Sequence, residues 1–358
     1  LKKSQTQVYA NHCCIKPSEL EVVDPSNIWA SPTLIPLREL NKTNTWSNSC
    51  WPCRGNEEAG LTSFRTGMLE KFGARTNLSG PQRLDLMFDI GCNLACRTCG
   101  PELSTFWQKH LKDNSVKFTA PAPESRVDEM ISILSKLDLS NLEMVVFCGG
   151  ETLMGQGYWR VAEAIASMVP DAKDKVTLSF QTNGTQTINE RNYATIEKFQ
   201  LVKLNISLDG VGERFEYLRW PAKWDQVAAN ILHMKSCLPV NVMFLIEETI
   251  SVFNLFYQSE LDAWAKENFS TNRLGDIVNH TRHTAIGTYG LHNLSTEYVS
   301  ALPSNLKKLV NPNWVENTNS ITNMLLEVEQ FDRFRNQSWK KTFPELAEFY
   351  KRFPTSGM

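Results

Sequence analysis

The sequence predicts an α/β protein built as a partial (β/α)6 TIM-type barrel, with a small N-terminal extension and a helical C-terminal tail. Three observations carry this expectation. Short apolar runs of strand character recur from Arg83 onward, amphipathic stretches separate them, and polar or glycine-rich turns close them. Strands separated by helices need right-handed crossovers, and hence a parallel sheet or barrel. About six such units fit between Arg83 and Thr249, in fewer residues than the roughly 250 of a closed eightfold barrel. An open barrel is therefore expected.

The first strand is legible over 83–90, where Leu84, Leu86 and Phe88 alternate with polar residues. A helix follows the next loop, with Pro101 near its first turn and an apolar face through Leu103, Phe106, Trp107 and Leu111. The segment 118–125, with Pro121 and Pro123, reads as a surface loop. Then come a helix over 127–137, a strand over 144–147, a helix over 158–168 and a strand over 176–180. A helix around Ala194, a strand over 202–208, a helix over 224–234 and a strand starting near Val240 complete the alternation. Beyond Ser251 the pattern thins to a helix over 261–269, a polar, histidine-containing connection over 272–291 and an amphipathic helical tail over 321–353. The expected division is 1–80 for the extension, 81–270 for the barrel and 271–358 for the tail.

The chain has 358 residues, 42% hydrophobic and 21% charged, enough to bury a large core. A net charge of −2 gives no reason to expect nucleic-acid or membrane binding through bulk electrostatics. No apolar run reaches the length of a membrane span. Nothing near the start reads as a secretory signal, so a cytoplasmic protein is expected, and nine cysteines there point to metal or redox chemistry. Seven of them precede Gly100, which suggests two metal sites close in sequence. The chain opens at Leu1, so a further ligand could lie upstream.

Cys92-Asn-Leu-Ala-Cys96-Arg-Thr-Cys99 follows the first strand as a C-x3-C-x2-C triad. A [4Fe–4S] cluster normally takes four thiolates, so three leave one iron open to a small molecule. Zinc usually pairs C-x2-C with a second pair or with histidines at similar spacing, and the nearest histidine, His110, lies outside the triad.

Further motifs close the later strands. In Cys148-Gly149-Gly150-Glu151 two glycines let the backbone approach a ligand, and the acid could accept a hydrogen bond from an ammonium group. Gln181-Thr-Asn183-Gly184-Thr185 and Asn205-Ile-Ser207-Leu-Asp209-Gly210 carry side chains that can hydrogen-bond a ribose or a carboxylate. Arg219 could pair bidentately with a carboxylate. Polar turns and a surface arginine are the plain alternatives.

Together these motifs resemble the radical S-adenosylmethionine (SAM) superfamily. The resemblance implies that Cys92, Cys96 and Cys99 ligate a [4Fe–4S] cluster whose open iron takes SAM through its amino and carboxylate groups. It implies that Gly149, Gly150 and Glu151 hold the amino group, and that Asn183, Ser207, Asp209 and Arg219 also contact SAM. Many members have an aromatic residue just before the third cysteine, where this chain has Thr98. Adenine contacts are then expected from elsewhere, such as Phe244 or Leu245.

Cys13-Cys14 and Cys50-Trp-Pro-Cys53 supply four more thiols. C-x2-C is a metal-ligand spacing, and a hairpin could bring the two pairs together. Adjacent side chains diverge, so one of Cys13 and Cys14 is expected to be a bystander, and four cysteines also suit structural zinc. The run from Cys53 through Glu57, Glu58, Gly60 and Ser63 to Arg65 resembles the N-terminal extension of twitch-type radical SAM proteins, a reduced version of the SPASM domain. That resemblance implies a second, auxiliary [4Fe–4S] cluster, relaying an electron or coordinating substrate. The likeness covers about 13–254.

By resemblance, a low-potential donor such as flavodoxin or ferredoxin reduces the first cluster, SAM is cleaved, and the 5′-deoxyadenosyl radical takes hydrogen from an unactivated C–H. Oxidation, crosslinking or epimerisation of a peptide is expected. The same chemistry on a sugar-like metabolite, by an epimerase or dehydrogenase, is the alternative; a non-catalytic Fe–S or zinc scaffold is a third. Cys148 and Cys237 stand outside both clusters. Free cysteines are most often small buried apolar residues, but either, as a hydrogen donor, would make the protein an epimerase. His280, His283 and His292 read as loop residues that could face substrate from the open side of the barrel.

Overall fold

The computed structural model describes residues 8–10, 21–24, 27–32, 34–43, 45–47, 50–58, 62–73, 78–120, 125–269 and 280–354. A short antiparallel pair, β1 (Val8–Ala10) and β2 (Glu21–Val23), precedes the main sheet. That sheet holds β3 (Arg83–Leu86), β4 (Met144–Phe147), β5 (Thr177–Thr182), β6 (Leu201–Ser207), β7 (Val242–Ile250) and β8 (His280–Thr284). Its strands are all parallel and lie in chain order, with helices in the crossovers, giving an open half-barrel.

The sixth strand departs from the sequence reading. Among the described residues five strands, not six, lie between Arg83 and Ile250, and β8 falls within the stretch read as a polar connection. His-Thr-Arg-His-Thr has no apolar alternation to announce it. It is an edge strand, held by its ladder to β7 and by the buried Glu248 carboxylate, which meets His280 Nε2 at 3.0 Å and Arg282 Nε at 3.2 Å.

Strand parity divides the sheet into two faces. Leu86, Val145, Phe147, Leu178, Phe180, Val202, Leu204, Ile206, Phe244 and Ile246 point outward into the main core beneath the helices. Full burial of each such side chain contributes roughly 1.5–3 kcal/mol. The inner face is largely polar: Thr177, Ser179 and Gln181 on β5, Lys203, Asn205 and Ser207 on β6, and Glu247 on β7 have the opposite parity. Asn205 Nδ2 donates to Ser179 Oγ across this face at 2.6 Å. On β4 the same face carries Met144 and Val146, which pack against Phe72 of the helix Phe64–Phe72.

The tail forms a second core with the region after β7, joining Tyr217, Leu218, Phe253, Tyr289, Tyr298, Ile321, Leu325, Trp339 and Phe343. It is not one helix. Thr318–Arg335 ends where Asn336 takes a left-handed conformation, φ 50°, the usual helix-terminating geometry, and Trp339–Thr342 and Pro344–Phe349 follow. Among the described residues no helix is long and apolar enough to cross a membrane.

Candidate functional site

The triad lies at the C-terminal edge of the sheet, where strands of such barrels present their chemistry. Past β3 the backbone is fastened on both sides. Gly150 N donates to Asp89 O at 3.1 Å and Glu151 N to Gly91 O at 2.7 Å, while Ala95 N donates to Trp220 O at 2.8 Å and Arg97 N to Leu218 O at 2.7 Å. Trp107 Nε1 adds a bond to Cys96 O at 2.9 Å.

This clamp explains the paired glycines. A Cβ on Gly150 would stand 2.1 Å from Gly91 O, and one on Gly149, whose φ is +125°, 2.3 Å from Asp89 O. Only glycine permits that approach. The close contact is to the cysteine loop itself, a role the sequence reading assigned to a ligand.

Cys92, Cys96 and Cys99 are free thiols. Cys92 Sγ accepts from Leu94 N at 3.5 Å and Asn183 Nδ2 at 3.9 Å, and Cys96 Sγ faces Arg219 Nη1 at 4.0 Å. Burial raises all three, Cys99 to about 11, and each is raised further by charge on a neighbouring site. They share one desolvated pocket of charge, in which a metal must displace the protons to bind thiolate. Among the described residues no three His, Cys, Asp or Glu side chains gather closely enough to hold a single ion. Three cysteine thiolates are nonetheless the donor type that an iron–sulfur cluster takes.

Glu151 is buried, and its carboxylate is already engaged: Oε1 accepts from Leu153 N at 3.0 Å and Thr182 Oγ1 at 2.6 Å, and Oε2 from Asn183 N at 2.6 Å. Burial raises its pKa, and these bonds pull against that rise. The acid thus ties the end of β4 to that of β5 and positions Asn183. Asn183 Nδ2 donates to Asn93 Oδ1 at 3.1 Å, and Asn93 Nδ2 to Thr185 Oγ1 at 2.8 Å. Thr185 belongs to the Gln181–Thr185 motif, whereas Asn93 was not singled out in the sequence, though an asparagine between the first two cysteines is a visible polar signal.

Asp209 and Arg219 meet as a buried ion pair, Oδ2 to Nη2, at 2.9 Å. Burial alone would lower the guanidinium pKa, but Asp209 and the Cys96 site raise it above its ordinary value. Arg219 Nη2 is therefore engaged by Asp209, while its buried Nε has no hydrogen-bond partner among the described residues. Ser207 lies on the inner face in register with Glu247.

Glu247, absent from the sequence reading, is raised by burial and lowered by His283 and Gln181. Cys148 continues the inward parity of β4, with Sγ 3.5 Å from Leu86 O, and burial pushes it to about 11. Cys237 is not brought to this site. The helix Trp224–Cys237 returns antiparallel to the strands and leaves the exposed thiol at their N-terminal edge, beside Tyr193 Oη at 3.3 Å and His233 Nε2 at 3.8 Å. Phe244 is turned to the outer core against Phe269, whereas Leu245 faces inward.

In the N-terminal extension, Cys50 and Cys53 lie at the start of the helix Trp51–Glu58; Cys53 is buried and Cys50 Sγ is 3.1 Å from Ser47 Oγ. Cys13 and Cys14 lie outside the described residues, in the 11–20 connection between β1 and β2.

Residues 88–255 match the model of the Radical SAM superfamily. No curated protein matches the chain. Among solved structures, native anSMEcpe with bound AdoMet is 18% identical, over 71% of this chain and 62% of that one, with a TM-score of 0.40. Streptococcus suis SuiB bound to S-adenosylmethionine is 14% identical, over 87% and 63%, with a TM-score of 0.41. SuiB bound to its precursor peptide SuiA is 14% identical, over 92% and 70%, also with a TM-score of 0.41. The chain spans less than two thirds of the length of the first of these structures.

Proposed function

The chain belongs to the radical SAM superfamily through its domain over 88–255, and from that premise we propose that Cys92, Cys96 and Cys99 hold a [4Fe–4S] cluster at which SAM binds. The proposed enzyme abstracts hydrogen from an unactivated C–H of a peptide, leading to oxidation, crosslinking or epimerisation. The observation that carries the proposal is the loop of three free thiols clamped between Gly149–Glu151 and Leu218–Trp220 at the C-terminal strand edge. When bound, the cluster and SAM supply an electron and a 5′-deoxyadenosyl radical.

The chain's own residues bind and orient. Gly149 and Gly150 seat the loop, Glu151 fixes Asn183, and Asn183, Ser207, Asp209 and Arg219 line the approach to the thiols. The polar inner face, with Gln181, Asn205, Ser207 and Glu247, offers a row of donors and acceptors suited to a peptide main chain. The same row suits the hydroxyls of a sugar-like metabolite, which is the second reading. A hydrogen atom returned by the inward Cys148 thiol would make the outcome epimerisation, leaving a thiyl radical for an external one-electron donor to reduce.

A twitch-like auxiliary cluster drawn from Cys13, Cys14, Cys50 and Cys53, and a low-potential donor such as flavodoxin or ferredoxin in the cytoplasm, complete the proposal. Iron and acid-labile sulfide per chain after anaerobic reconstitution test it. About eight irons falling to about four in C92A/C96A/C99A supports both clusters, and about four falling to none supports the first alone. Iron content unchanged by the triple substitution sinks the assignment.

A further inference from the structure

The long helix Thr318–Arg335 packs against the cysteine loop and brings it a cation with no carboxylate partner among the described residues. We propose that Arg335 stabilises the reduced state of the cluster held by Cys92, Cys96 and Cys99, and so raises its midpoint potential. This rests on the reading of those thiols as cluster ligands.

Arg97 lies between the second and third cysteines. Its fully buried side chain pairs with Asp332 of the helix and lies over the Tyr217 ring at 4.2 Å. Asp332 also accepts from Tyr217 Oη at 2.8 Å and Trp339 N at 2.6 Å. The Arg97 charge is thus matched, as that of Arg219 is by Asp209.

Arg335, three residues on from Asp332 and so on the same helix face, is different. It is 6% exposed, and its guanidinium sits over Trp107 at 4.7 Å, Trp220 at 5.0 Å and Phe331 at 5.3 Å. Nε donates to His110 Nε2 at 3.3 Å, while Nη1 and Nη2 have no hydrogen-bond partner among the described residues. Burial, with Arg335 and Arg97 nearby, pushes His110 down to about 4, so this acceptor is uncharged at neutral pH. Burial and Arg97 push Arg335 down to about 9, which leaves it protonated.

An unpaired buried cation is costly, and three ring faces offset part of that cost. Two of those rings belong to residues that touch the loop directly, Trp107 through Cys96 O and Trp220 through Ala95 N. A cluster on three thiolates is formally anionic and gains a further negative charge on reduction. In a desolvated setting a nearby fixed cation favours the more negative state. Arg335 acts through the field and not by contact, so it is a positioning residue, not a catalytic one.

The test uses the full chain, reconstituted anaerobically, as wild type, R335M, R335Q, R335K and D332N. The signal followed is the reduced-cluster EPR spectrum that is absent from C92A/C96A/C99A; without such a signal the cluster reading itself fails, a distinct outcome. Potentiometric titration should show R335M shifted to a more negative midpoint at undiminished iron content, with R335K close to wild type. D332N, which unmasks the Arg97 charge, should shift the opposite way. An R335M midpoint equal to wild type overturns the proposal. If R335M does not retain its cluster, the polar neutral variant R335Q decides: a more negative midpoint supports the proposal and an unchanged midpoint overturns it.

Discussion

Arg219 Nη2 and Asp209 Oδ2 meet at 2.9 Å in a buried ion pair whose guanidinium also faces the Cys96 thiol. Asp209 Oδ1 accepts from Thr249 N at 2.9 Å, so one carboxylate ties the end of β6 to β7 and fixes the arginine that approaches the triad. Asp209→Ala leaves a buried cation unpaired, and should cost about 3–5 kcal/mol in urea unfolding. Adding Arg219→Ala to it should recover part of that loss, because the stranded charge is gone. A strictly additive cycle would show that the pair is not coupled.

Gly150→Ala should prevent the loop from seating, since its Cβ would stand 2.1 Å from Gly91 O. A lowered melting temperature and reduced iron incorporation are the expected readouts. Gly67→Ala, inside the helix Phe64–Phe72 where nothing lies within 4 Å of the added atom, is the control and should lower neither.

The strands from β3 to β7 were legible because each alternates an apolar outer residue with a polar or inward one, or carries a continuous apolar run, and those from β3 to β6 are followed by a turn motif. β8 was not, because an edge strand paired on one side needs no apolar face, and its anchor is Glu248 on another strand. The cysteine triad and the Gly-Gly-Glu turn were visible as residue types and spacing. What Glu151 bonds to, that Arg219 is held by Asp209, and that Asp332 and Arg335 pack against the loop from some 235 residues away in sequence, are tertiary facts with no local signal.

His110 gives a pH dependence. Its folded pKa of about 4 lies below the ordinary 6.5, so its contribution is fully present above about pH 6.5 and is lost as pH falls toward 4, where the unfolded chain binds the extra proton. Urea-unfolding stability should therefore fall more steeply over that window in the wild type than in His110→Gln. Parallel curves would contradict the assigned shift.

Cys148 and Cys237 separate by location. Cys237→Ala should leave SAM cleavage and product formation intact, because its thiol stands at the far edge of the sheet. Cys148→Ala should leave cleavage intact but abolish an epimerised product, read as loss of solvent deuterium incorporation at the reacting carbon. Undiminished incorporation in Cys148→Ala would remove the thiol from the mechanism.

The most direct test of the central claim is the formation of 5′-deoxyadenosine from SAM by the anaerobically reconstituted chain under dithionite. 5′-Deoxyadenosine should form with the wild type and be lost in C92A, C96A and C99A alike. No 5′-deoxyadenosine from a wild-type chain shown to hold its iron, or equal amounts from the cysteine variants, would contradict that claim.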